Sequence, residues 1–190
     1  MASGKSRSYT EEVKTMERPI ITDLKLIDKL AKEREDENWR FRSYLKGCTT
    51  DEVDEVFHRL HDEIAPQIDC QKCGNCCRVM RPILKEPDIK RLADHLSVSN
   101  DELEDQYLVE DEDNDIIFNA QPCPFLSGNS CSVYEARPND CRSYPHLHKK
   151  EIIRRLMGVV FNYSVCPIAF NVYEEMKVEM WFSRGYLDDD

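Results

Sequence analysis

Long apolar runs are missing from this 190-residue chain. The longest candidates, Val159-Val160-Phe161 and Ile116-Ile117-Phe118, fall far short of the roughly 20 apolar residues that a membrane helix needs. A helical membrane protein is excluded. Basic charge is also in deficit, with 26 Lys plus Arg against 37 Asp plus Glu and a formal net charge of -11. That balance argues against a nonspecific nucleic-acid binder held by phosphate contacts and against attraction to an anionic membrane surface. The expected partners therefore include neither nucleic acid nor membrane. P-loop, dinucleotide-fingerprint, HExxH and G-x-S-x-G motifs are lacking, and no internal repeat is present. Met1 to Glu12 carries charge without the apolar run of a secretory signal, so the chain is expected to be cytoplasmic.

What the sequence does have is cysteine. There are nine, and eight of them fall between Cys70 and Cys166. In a reducing cytoplasm such a chain reads as a metal binder or redox catalyst in preference to a disulfide scaffold. Cys48, alone, reads as a small packing residue.

With 41% hydrophobic and 33% charged residues, the chain suits one compact unit. Residues 1–20 are polar and are expected to form a mobile tail. Residues 21–66 read as an N-terminal helical hairpin packed on the core. One helix runs from Thr22 through Leu24, Ile27, Leu30 and the charged stretch Lys32 to Glu37, on to Tyr44 and Leu45, and ends at Gly47. A second opens on a Thr49/Glu52 capping box, continues through Val53, Val56, Phe57, Leu60 and Ile64, and closes at Pro66. Residues 67–190 read as a metal-binding domain with a C-terminal helix. Within it, Cys70 to Cys77 is placed on a loop or short turn. Helices are expected from Glu86-Pro87-Asp88, from a Ser99/Glu102 capping box and from Pro167. Short strands are expected at 115–118 and 131–134. The fold class is an α-rich α+β arrangement, with a small loop-rich cysteine centre flanked by helices and few short strands.

The run Cys70-Gln-Lys-Cys73-Gly-Asn-Cys76-Cys77 places four thiols in eight residues. Two-residue spacers let a tight turn aim thiolates at one ion, and Gly74 removes a side chain where the chain bends. Cys123, Cys131, Cys141 and Cys166 supply a second group. Adjacent Cys76 and Cys77 point in different directions, so the eight cysteines read as ligands of two neighbouring centres, four to each. Zinc accepts four thiolates in a closed site. Iron–sulfur clusters do as well, and C-x2-C-x2-C with a distant Cys166-Pro167 is similar to the ferredoxin arrangement, although no cysteine follows three residues after Cys76. Both metals stay open on this pattern.

The stretches CQKCGNCC (70–77), PCPFL (122–126), CSVYEARPNDCRSYP (131–145) and Cys166-Pro167 resemble the YkgJ-like cysteine-cluster family. The resemblance implies a zinc- or iron-chelating CxxCxxCC domain with Cys70, Cys73, Cys76, Cys77, Cys123, Cys131, Cys141 and Cys166 as metal ligands. A related cluster occurs in the longer flagellin lysine N-methylases, an analogy that adds weight to iron–sulfur without carrying over their activity. The leading function is chelation of zinc or iron in a structural or redox role. The alternatives are an iron–sulfur enzyme or electron-transfer component, and a metal-stabilised adaptor for a protein partner.

Several weaker signals complete the reading. Arg137 and Arg142 are candidates for neutralising a thiolate-bound centre, against a plain role in surface salt bridges. His146 and His148 are candidate extra ligands, with an exposed loop as the default. Glu55-x-x-His58 lacks the second motif of a carboxylate-bridged di-iron site. Asp101 to Asp115 holds nine carboxylates but lacks the glycine and glutamate of a calcium loop, and reads as a solvated acidic loop.

Overall fold

Capping chemistry and apolar spacing set the order of elements. The computed structural model describes residues 18–181; most of the expected N-terminal tail, residues 1–17, lies outside them. Asp23 Oδ1 accepts from the backbone N–H groups of Lys25 and Leu26 and starts α1 (Leu24–Glu33). The expected single helix then divides, because Arg34 leaves helical geometry at φ -106 and ψ 18 and sends its guanidinium to Glu174. The break re-aims the chain so that Ile27 of α1 and Phe41 and Leu45 of α2 (Glu35–Leu45) enter the same core. Thr49 caps α3 (Thr50–Ile64) by position, without a side-chain capping bond. Val53, Phe57, Leu60 and Ile64 form its buried face.

Two one-turn helices, α4 (Cys70–Cys73) and α5 (Cys76–Val79), follow. Next come β1 (Ile83–Leu84), α6 (Glu86–Leu96) and α7 (Asn100–Tyr107). The Ser99/Glu102 capping box forms in full at the start of α7. Strands β2 (Leu108–Glu110) and β3 (Ile116–Phe118) extend β1 into an antiparallel sheet ordered β1-β3-β2, with Leu84 opposite Ile116 and Leu108 opposite Phe118. The acidic stretch is thus helix, strand and turn in place of a loop. Asp111 closes the turn by accepting from the backbone N–H groups of Asp113 and Asp115.

The hairpin β4 (Leu126–Ser127) and β5 (Ser130–Cys131) comes next. The strand expected over 131–134 stops at Cys131, because 134–136 turn into a 3-10 segment. Then α8 (Asn139–Ser143), a 3-10 turn at Ile152–Arg155, α9 (Leu156–Tyr163) and α10 (Pro167–Met176) complete the order. A π-helical turn, Lys177–Trp181, extends α10. The protein is an α-rich α+β fold with small sheets.

Apolar side chains gather into two clusters. The larger joins α1, α2, α3, α9 and α10, and includes Cys166. The smaller lies under α6, α7 and the sheet, around Leu84, Leu92, Leu103, Phe118 and Phe125, with Cys123 and Cys131 packed against it. Cys48 packs on the larger cluster, its thiol 3.7 Å from the Tyr44 carbonyl.

Lys177 is 0% exposed. Its ammonium donates to Glu37 Oε1 at 2.6 Å and Glu174 Oε1 at 2.7 Å, and lies 5.3 Å from the Tyr163 ring centre and 5.7 Å from that of Tyr173. Glu174 also accepts from Tyr163 Oη at 2.7 Å. Removing one member of a buried ion network leaves the others desolvated and uncompensated. Lys177→Met should therefore lower the unfolding free energy by about 3 kcal/mol in chemical denaturation. An unchanged midpoint would show that the network does not hold α2 to α10.

Candidate metal centre

The first cysteine block is built by backbone capping. Asp69 Oδ1 accepts from Gln71 N–H at 3.0 Å and starts α4. Gly74 ends it in the left-handed region at φ 59. Asn75 and Cys76 then restart the chain as α5, so the expected loop is two short helical turns hinged at Gly74. A glycine is required there twice over: for the positive φ, and because an added Cβ would stand 2.5 Å from the Asn129 carbonyl oxygen.

The β4–β5 hairpin is fastened over this hinge. Arg78 donates to the carbonyl oxygens of Gly74 and Gly128 at 2.8 Å each, and to Asn129 Oδ1 at 2.6 Å. Asn129 Nδ2 donates to the Lys72 carbonyl at 3.1 Å, and Ser130 Oγ to that of Gln71 at 3.1 Å. Cys123 N–H donates to the Cys77 carbonyl at 2.8 Å. On the other side, Asn75 Nδ2 donates to the Val165 carbonyl at 2.8 Å, which sets Cys76 beside the start of α10.

A cavity of about 500 Å³ opens where these pieces meet. Cys70, Cys76, Cys77, Cys123, Cys131 and Cys141 line it, with Phe118 and Phe125 from the smaller core and Tyr144 and Met157 from the side of the larger one. Cys73 and Cys166 are not among the lining residues; Cys166 is buried in the larger core. None of the nine thiols is in a disulfide.

Electrostatics shows which sulfurs are neighbours. The Cys76 thiol is raised first by its hydrogen bond with Cys77 and then by burial, with negative charge on Cys166 and Cys70 adding. The same hydrogen bond, helped by Arg78, lowers Cys77. Burial pushes Cys166 up to about 12, and Cys70 and Cys73 add to it. Burial pushes Cys123 up to about 11, where Cys77 and Cys131 add. Cys141 is raised by burial and then by Cys77, Cys123 and Cys131. Burial raises Cys70 as well, followed by Cys73, while Arg137 opposes. It raises Cys131 too, with Cys77 adding and Arg137 opposing.

Arg137 stacks 3.5 Å over the Tyr134 ring centre and donates to the Tyr134 carbonyl at 2.8 Å. Arg142 donates to the carbonyls of Arg137, at 3.1 Å, and Glu135. Neither makes a salt bridge among the described residues, so the surface ion pairs weighed for them are not formed. Arg137 supplies positive charge to Cys70 and Cys131, whereas Arg142 braces the loop that carries Arg137.

His146 is not an exposed loop residue. It is half-buried on the cavity wall, with Nε2 3.4 Å from Asp140 Oδ1 and Nδ1 buried without a partner. His148 is not among the cavity-lining residues and lies against His61 instead, with ring centres 5.4 Å apart. Asn75, Arg78 and Asn129 escaped the sequence reading. Asn75 has a local signal in the Gly74-Asn75 hinge, but nothing in the pattern ties Arg78 to a hairpin fifty residues away.

Among the described residues, no three His, Cys, Asp or Glu side chains form a ready-made ion site. The donor chemistry nonetheless fits zinc or iron. Soft thiols are gathered round one cavity, and the burial and mutual repulsion that favour the protonated form of Cys70, Cys76, Cys123, Cys131 and Cys141 are what a bound cation reverses. Because a preformed site rarely exists in the unfolded chain, metal binding contributes to folding.

Residues 69–157 match the family model described as "CxxCxxCC: Putative zinc- or iron-chelating domain". This segment is similar to that family. It contains seven of the eight clustered cysteines, while Cys166 lies beyond it. No curated protein and no solved structure matches the chain. The match supports metal binding.

Gly74→Ala should lower stability by about 2 kcal/mol, since a side chain there meets both positive φ and the Asn129 backbone. The bound metal per chain should fall with it. Unfolding curves and elemental content identical to the wild type would contradict this account of the hinge.

Proposed function

We propose that the protein is a thiolate-based zinc- or iron-binding protein holding two adjacent centres. Cys70, Cys73, Cys76 and Cys166 would hold one. Cys77, Cys123, Cys131 and Cys141 would hold the other. The observation that supports this division is that, beyond their mutual hydrogen bond, Cys76 is raised by Cys166 and Cys70, whereas Cys77 raises Cys123, Cys131 and Cys141; Cys70 lies between the two groups, since Cys77 raises it too. Tyr144 supports the division independently, since after burial the charges that raise its hydroxyl are those of Cys166, Cys76 and Cys73. When bound, the metal supplies positive charge that keeps the sulfurs deprotonated and cross-links segments otherwise joined through turns. The role is first a structural one, in a cytoplasm that keeps the thiols reduced.

A second reading is favoured by the cavity. A tetrahedral zinc ion fills little of about 500 Å³, whereas an iron–sulfur cluster adds inorganic sulfur and several iron ions beside the same thiolates. Arg137, near Cys70 and Cys131, would offset the charge of such a cluster. This version makes the centre redox-active, in an enzyme or an electron carrier.

Anaerobic purification with elemental analysis of Cys166→Ser and Cys141→Ser tests the division. Each variant should lose about half of the metal bound by the wild type, and the two losses should add. Colourless protein with zinc would support the structural version, and brown protein with iron and acid-labile sulfide the redox version. Metal content unchanged in both variants, or abolished completely by each, would contradict two separate four-cysteine centres.

A further inference from the structure

The chain has five histidines; His61 and His148 are in ring contact at α3, His58 is close enough to act on His148, and none of the three lines the thiol cavity. His58 and His61 stand three residues apart on α3, which places them on one side of the helix. The segment 146–152 crosses that side. It is held there by Asp54, whose carboxylate accepts from Glu151 N–H at 2.7 Å and Ile152 N–H at 2.8 Å, and by Leu147, which is fully buried in the larger core. The anchored segment lays His148 against His61 with ring centres 5.4 Å apart and planes inclined at 48°. Two imidazoles bound to one tetrahedral ion through bonds of about 2 Å hold their ring centres roughly 5 Å apart. The pair already stands at that separation.

Three further observations point the same way. His61 Nδ1 faces Asp62 Oδ1 at 3.4 Å, the carboxylate contact that leaves Nε2 as the donor to a metal. His58 Nε2 is buried without a hydrogen-bond partner, and in the tautomer that leaves it unprotonated its lone pair is free to ligate a cation. The His148 ring is held towards its neutral, metal-binding form by partial burial first, then by the nearby His61, Lys149 and His58. Asp62 opposes that shift. Of the charged neighbours, Asp62 favours a cation and Lys149 disfavours one.

We propose that His61 and His148, completed by His58, form a second metal site, made of imidazole and taking a borderline divalent cation of the zinc, nickel or cobalt class. Binding would draw exposed His148 and half-buried His58 round the ion by side-chain rotation, and would clamp the 146–152 segment to α3. His146, on the other side of Leu147, faces the thiol cavity, so the same short segment touches both sites. The proposal stands independently of how the eight cysteines are divided.

The test titrates the full chain, purified with its cysteine-bound metal in place, with Co²⁺ by calorimetry and visible absorption. One further equivalent should bind without a thiolate charge-transfer band. His148→Ala, at an exposed position that folding tolerates, should weaken binding by no less than the ~tenfold that losing an outer-shell partner costs. His95→Ala, on α6, should leave it unchanged. No extra binding, binding with a thiolate band, or binding indifferent to His148→Ala would each overturn the proposal.

Discussion

The crowding of thiols between two separate apolar cores is the constraint on which the rest of the structure depends. The larger core, made by the first three helices and the last two, carries Cys166. The smaller, beneath α6, α7 and the sheet, carries Cys123 and Cys131. Cys70 to Cys77 runs between them, and its backbone is fastened to both sides, through Asn75 to Val165 and through the Cys77 carbonyl to Cys123. Apolar burial stabilises each half. What sits at the seam is a set of mostly half-buried cysteines whose sulfurs repel one another once ionised. A cation turns that repulsion into attraction, which makes metal binding and the joining of the two cores a single event in the proposed reading.

The hinge at Gly74 shows how local rules serve that constraint. A left-handed glycine divides the block into two helical turns, so that Cys70 and Cys73 fall on one turn and Cys76 and Cys77 on the next. The adjacent cysteines Cys76 and Cys77 stay hydrogen-bonded to each other and share Cys70, but only Cys76 is raised by Cys166 and only Cys77 raises Cys123, Cys131 and Cys141. The hinge also opens the backbone groove that the β4–β5 hairpin fills, with Arg78 bonding across the junction. Charge-assisted hydrogen bonds to several carbonyls at once make such a contact more specific than a surface ion pair.

Much of this was legible in the sequence, for identifiable reasons. The Ser99/Glu102 capping box, Pro87 at the start of α6 and Pro167 at the start of α10 act within one helical turn, and each appears where local chemistry demands. The α-rich class follows from the spacing of residues such as Val53, Phe57, Leu60 and Ile64. The CxxCxxCC block is dense enough to announce metal chemistry without a fold. What was not legible depends on contacts distant in sequence. The break at Arg34 answers to Glu174, and the shortening of the 131–134 strand follows from the turn that brings Arg137 back over Tyr134. The opposite placements of His146 and His148 rest on Leu147 being buried between them and on Asp54 holding the next residues. None of these partners can be inferred from spacing.

The central claim concerns sulfur ligation, and the most direct measurement is X-ray absorption at the zinc and iron edges of the anaerobically purified full chain. The account predicts about four sulfur neighbours per metal at about 2.3 Å, with metal–metal scattering added if iron–sulfur clusters are present. A first shell dominated by nitrogen or oxygen, or protein that folds fully with no metal bound, would contradict it.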